Sequence, residues 1–160
     1  MHPSRIDLAD NVRAEAAKLL QRRLVEAIDL KLQSKQAHWN VRGLHFFQLH
    51  ELFDQTAQLV EGFSDLIAER ITALGGTAEG TVQSVQSQTT LKPYPLDIVE
   101  GPAHVAALAD ALAAFGKSAR NGIEEAEGIG DADTADLLTE VSRAIDKQLW
   151  FVEAHLQAEH

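Results

Sequence analysis

The residues able to do chemistry are concentrated in one stretch, Lys35 to Gly76, which reads KQAHWNVRGLHFFQLHELFDQTAQLVEGFSDLIAERITALGG. Its second half has the pattern of a single helix, so His50 and Asp54 share one face, as do Asp65 and Glu69 further along. At about 100° per residue and with His50 as origin, Asp54 falls near ~40°, Asp65 near ~60° and Glu69 near ~100°. Gln58 and Glu61 lie on the same stripe, while Leu52, Phe53, Leu59, Val60, Phe63, Leu66, Ile67 and Leu74 cover the other side. The carboxylates alone would read as a solvated face; the added histidines favour a ligand set. Imidazole and carboxylate donors suit Fe(II), and without thiols the set does not select strongly for zinc or copper.

Asp54 and Asp65 are separated by roughly 16 Å of helix at ~1.5 Å per residue. Ligands of one small metal centre lie within a few ångströms of the ion, so the two pairs cannot serve one centre within one chain. Two copies of this helix packed antiparallel across a two-fold axis near Leu59 and Val60 would bring His50 and Asp54 of one copy to Asp65 and Glu69 of the other. Such a dimer has two equivalent sites, each built from both chains.

Three segments carry a family pattern: Ala37-His38-Trp39-Asn40-Val41-Arg42-Gly43, His50-Glu51-Leu52-Phe53-Asp54 and Asp65-Leu66-Ile67-Ala68-Glu69-Arg70. Together they closely resemble the signature of the Dps-type mini-ferritins, the DNA-binding proteins from starved cells. The likeness extends over nearly the whole chain, since Thr134-Ala135-Asp136 and Asp146-Lys147-Gln148-Leu149-Trp150-Phe151 resemble the family's last helix. The resemblance implies a ferroxidase: His38 joins His50, Asp54, Asp65 and Glu69 as an iron ligand, and Trp39 lies near the iron site to accept oxidising equivalents. It further implies that hydrogen peroxide or, more slowly, dioxygen oxidises Fe(II) at dimer interfaces of a hollow twelve-subunit shell that stores ferric mineral. Removing peroxide and Fe(II) together prevents hydroxyl-radical formation. By helical geometry alone, Trp39 points about 100° from His38 and reads as a core or interface aromatic.

The elements that must position these residues are helices. Apolar residues recur at helical spacing from about Leu8 or Asp10 to Asn40, from Leu44 or Phe46 to Leu74, and from Pro102 to about Ala126. A fourth helix follows from a cap at Asp131 or Asp133 to about Gln157. Residues 76–101 are rich in Gly, Ser, Thr, Gln and Pro and too long for a simple turn, so they read as a crossover between the second and third helices. This gives an all-α, ferritin-like four-helix bundle spanning 1–160 as one domain, with a short tail over 1–9. The family resemblance adds a short helix within the crossover, placed around Pro95 to Val99.

With 160 residues, 45% apolar and 24% charged, the chain can form an ordinary globular core. No apolar run approaches the ~18 residues of a membrane span, and the first residues lack the apolar segment of a signal peptide, so the expected compartment is the cytoplasm. The chain has no cysteine and a single methionine, Met1. Scarce sulfur suits a protein handling iron and peroxide, although chance or base composition accounts for it equally well. A net charge of −10, and a final segment from Ala154 without Lys or Arg, argue against nucleic-acid binding through a basic tail. The acidic cluster Asp131, Asp133, Asp136 and Glu140 fits helix capping. The resemblance instead implies negatively charged pores on three-fold axes, with Asp131, Asp136 and Glu140 as their lining.

Three alternatives are open to comparison. Classical ferritins and bacterioferritins hold di-iron within one bundle through Glu-x-x-His motifs; no Glu in this chain is followed by His three residues later. A nucleoid-associated DNA-binding protein with a secondary metal site would have to bind at physiological salt despite the charge. A purely structural helical oligomer would show no metal chemistry to lose when His50 and Asp54 are replaced.

Overall fold

The computed structural model describes residues 1–157. Five helices form: α1 over Asp10–Asn40, α2 over Phe46–Ala73, α3 over Val82–Gln88, α4 over Gly101–Ile129 and α5 over Ala132–Glu153, followed by a 3-10 turn at Ala154–Leu156. No β-strand occurs among the described residues. The four long helices fall close to their expected limits, because each end is chemically marked. Gly130 closes α4 with a left-handed φ of 84°, Pro102 sits in the first turn of α4, and Asp131 caps α5. α1 and α2 form one tightly packed hairpin and α4 and α5 another, and α1 packs against α4 to join them. One core cluster surrounds Phe53, Phe63, Leu112, Phe115 and Ile145; a second surrounds Leu20, Leu24, Ile67, Ile71 and Leu138.

The short helix of the crossover lies at Val82–Gln88, not around Pro95 to Val99. Thr81 supplies the reason, since its side chain accepts from the Ser84 backbone N–H, and Val85 gives the helix one residue to bury. Around Pro95 there is no comparable anchor: Leu96 is 78% exposed, and the backbone runs without regular structure. The segment after α3 is instead pinned by side chains. Thr89 Oγ1 donates to Asp29, Thr90 Oγ1 to Glu26 and Gln33 Nε2 to the Lys92 carbonyl, while Tyr94 Oη meets His104 Nδ1 at 2.7 Å.

Two further features concern the surface. The short tail over 1–9 is docked on the bundle, because the His2 N–H donates to the Gly75 carbonyl at 2.6 Å and Arg13 reaches the Leu74 carbonyl at 2.9 Å. Leu66 and Leu32 repeat at helical spacing with core residues yet stand exposed. Leu32 lines an apolar groove with Ile28, Val82 and Val85 between α1 and α3.

Candidate metal centre

The turn from Val41 to His45 reverses the chain so that the end of α1 lies against the start of α2. Val41 is buried, its N–H continues the α1 ladder to Ala37, and the Arg42 N–H is bonded to the Val99 carbonyl at the end of the crossover. Gly43, at φ 109°, supplies the left-handed step that the turn needs. This places His38 beside His50. Each ring nitrogen Nδ1 faces the backbone carbonyl of the other histidine, at 2.7 Å for His38 to His50 and 2.8 Å for His50 to His38. A carbonyl only accepts, so each Nδ1 carries a proton, and in the neutral ring the Nε2 on the other side keeps the lone pair through which imidazole binds a metal. The rings stack with centroids 3.7 Å apart, and Phe46 flanks His50 at 5.1 Å.

Asp54 stands one helical turn beyond His50. Its Oδ1 accepts from Lys35 Nζ at 2.6 Å and its Oδ2 from Gln58 Nε2 at 2.8 Å. The hydrogen bond from Lys35, helped by the charge of Lys35 and the hydrogen bond from Gln58, holds the carboxyl below the usual aspartate range despite partial burial. Asp54 is therefore an anion at neutral pH. Lys35 also lies over the Trp39 ring, 5.7 Å from its centroid.

Asp65 and Glu69 are exposed on the later turns of α2, away from the histidine pair. Among the described residues, no group of three or more histidine, aspartate or glutamate side chains is gathered so as to hold a metal ion. A single chain thus presents a pair of imidazoles with Asp54 one helical turn beyond, and a separate pair of carboxylates on later turns of α2. Trp39 is 65% exposed, which excludes the core placement.

Asp131 departs from its expected place in a pore. Only 1% exposed, it accepts from the Thr134 N–H and hydroxyl and from Arg70 Nη2 at 2.8 Å. Both oxygens are committed to the start of α5, so capping is the role the structure supports. Asp136 and Glu140 remain exposed on α5, one turn apart. Three partners go unmarked by the sequence motifs: Lys35, Gln58 as a hydrogen-bond donor, and Arg70 as the link to Asp131. The spacing of Lys35 to His38 and Trp39, and of Asp54 to Gln58, is a usable signal for the first two, because residues three or four apart on a helix are neighbours. Nothing local in the sequence pairs Arg70 with Asp131.

Two helical hairpins joined by a long crossover, with the His38–His50 pair and Asp54 on the first, define a ferritin-like architecture. The family model described as Ferritin-like domain matches residues 17–159. The chain is 42% identical over 156 residues to a DNA protection during starvation protein of Agrobacterium fabrum, covering 98% of this chain and 96% of that one. Among solved structures, Mycobacterium smegmatis Dps superposes with a TM-score of 0.93 at 34% identity, covering 99% of this chain and 90% of that one. Dps from Microbacterium arborescens in the high iron form gives 0.86 at 31%, covering 91% and 95%. The chain belongs to the ferritin-like family as a mini-ferritin of the Dps type, a family of iron storage and protection from stress. No helix among the described residues is long and apolar enough to cross a membrane.

Proposed function

We propose that this protein is a ferroxidase whose sites form between two chains, and that ferric mineral collects inside a hollow homo-oligomeric shell of twelve subunits. The observation that carries the reading is the reciprocal histidine clamp, which engages both Nδ1 atoms and so leaves the Nε2 atoms outside it, with the ionised Asp54 one helical turn beyond His50. In this reading His38, His50 and Asp54 of one chain bind Fe(II) together with Asp65 and Glu69 of another. Three carboxylates also favour the ferric product, because they offset the positive charge gained on oxidation. One hydrogen peroxide takes one electron from each of two Fe(II) ions and two protons, and leaves as two waters, so no hydroxyl radical is released. Dioxygen is the slower alternative oxidant. Asp136 and Glu140, exposed one turn apart, draw cations toward the shell interior. Trp39, on the rim beside Lys35, takes up stray oxidising equivalents. The work takes place in the cytoplasm.

The charge of −10 and the docked first residues argue against compaction of DNA as the main role. The test is stopped-flow appearance of ferric product after Fe(II) and peroxide are mixed with two double variants. His50→Ala with Asp54→Ala removes one half-site, and Asp65→Ala with Glu69→Ala removes the other. Each alone should lose fast oxidation. Re-assembly of the two from separated chains at equal amounts should restore about a quarter of the wild-type sites, because half the dimers are mixed and each mixed dimer has one intact site. No recovery on mixing, with both variants folded, would refute a shared site.

A further inference from the structure

Lys35 has no place in the ligand set, yet it makes the closest polar contact to it. Its ammonium lies 2.6 Å from Asp54 Oδ1, and the two side chains are 27% and 29% exposed. Gln58 holds the other oxygen, so neither oxygen of Asp54 is without a donor. Gln58 is neutral and leaves its oxygen able to bind a cation as well. Lys35 is a competitor, since a metal ion and an ammonium on the same carboxylate repel each other at short range.

The ammonium has somewhere else to go. Lys35 and Trp39 are one turn apart on α1, and the indole face is already within 5.7 Å of Nζ. A rotation of the side chain would exchange the carboxylate for the aromatic face and solvent without moving the helix. We propose that Lys35 is a built-in counter-cation that neutralises Asp54 until a divalent metal ion displaces it, so that loading the site exchanges one cation for another and Lys35 sets the affinity. This rests on the reading of His38, His50 and Asp54 as metal ligands. Lys35 is then a positioning residue that acts through Asp54.

The experiment uses Zn(II), which is diamagnetic and inert to oxidation, as the probe. It is titrated into the full-length assembled protein by calorimetry, and Trp39 emission is followed with Trp150→Phe in every protein so that one indole reports. Lys35→Gln should bind Zn(II) about tenfold more tightly, the equivalent of one partly exposed ion pair of about 1.4 kcal/mol. Lys35→Arg, which keeps the charge and grips a carboxylate through two donors, should bind no more tightly than wild type. The change in Trp39 emission on Zn(II) binding should shrink in Lys35→Gln, because no ammonium moves toward the ring. Equal or weaker binding by Lys35→Gln, in a protein whose helix content matches wild type, would overturn the proposal, as would an unchanged emission response. If His50→Ala with Asp54→Ala binds Zn(II) as wild type does, the ligand reading itself fails, an outcome distinct from failure of the role of Lys35.

Discussion

Replacing Asp131 separates a structural acid from a transport one. The carboxylate is buried and receives three hydrogen bonds: from the Thr134 N–H at 3.1 Å, from the Thr134 hydroxyl at 2.6 Å and from Arg70 Nη2 at 2.8 Å. Losing the cap of α5 costs about 1 kcal/mol. Losing a buried charge partner of an arginine costs ~3–5 kcal/mol where the arginine is stranded. Arg70 is not fully stranded, since its side chain is 15% exposed and Asp133 lies 4.0 Å away on the solvent side. The sum for Asp131→Ala is therefore set near the lower end, about 3 kcal/mol, or a fall in melting temperature of roughly 6–12 °C for a chain of this size. Asp131→Asn keeps an acceptor for the cap and loses the charge, so it should fall by roughly half as much. Thermal unfolding followed by circular dichroism at one fixed subunit concentration measures both, since assembly adds concentration-dependent stability. The companion assay is the rate of iron uptake below the unfolding range. Asp131→Ala should leave it unchanged, whereas Asp136→Asn with Glu140→Gln should slow it without lowering the melting temperature. An Asp131→Ala protein as stable as wild type but slow to take up iron would refute the capping argument and return this residue to the pore.

The remaining expectations concern the packing that holds the half-site in place. Burial holds the His104 imidazole below the ordinary histidine range, against a smaller opposing contribution from the Ile98 carbonyl. The unfolded chain then binds the extra proton more readily, so the contribution of His104 is complete above about pH 6.5 and is lost as the pH falls toward its folded value. Urea titrations from pH 7.5 to 5 should show stability falling with acid, with a shallower fall in His104→Gln. Phe115→Ala empties the centre of the larger core and should cost ~3–5 kcal/mol in the same titration at pH 7.5. Gly75→Ala must fail locally, because φ is 90° and a Cβ there would stand 2.4 Å from the His2 carbonyl oxygen. Limited proteolysis should cut its first residues faster than those of wild type.

How far the sequence revealed the molecule depended on whether each signal was local. Helix limits are written in caps and breakers such as Pro102, Gly130 and Asp131, and the spacing of His50, Asp54, Asp65 and Glu69 already set the two pairs too far apart to serve one centre within one chain. The crossover misled, because its helix depends on Thr81 and Val85, a weak cap and a single buried apolar residue, whereas the segment after Pro95 has nothing to bury. Asp131 shows the other limit. Its acidic neighbours share one composition, and only the three-dimensional approach of Arg70 from α2 separates the buried cap from exposed Asp136 and Glu140.

The histidine clamp ties the chemistry to the fold more closely than a list of ligands suggests. The carbonyl of His50 that receives the His38 proton is also the intrahelical acceptor of α2, and the carbonyl of His38 lies where α1 is running out of intrahelical donors. The two bonds therefore close the α1–α2 turn and fix both tautomers in one arrangement. A histidine replaced by a residue without a ring donor would lose a turn contact as well as a ligand. Asparagine at position 38 or 50 separates the two roles, since its amide can donate to the opposite carbonyl while presenting no Nε2 lone pair. Because the clamp lies wholly within one chain, the two nitrogens and Asp54 are oriented before any partner arrives. On the proposed shared site, association would have only to bring Asp65 and Glu69, two exposed carboxylates on a helix, to complete a set of ligands already held in part by one chain.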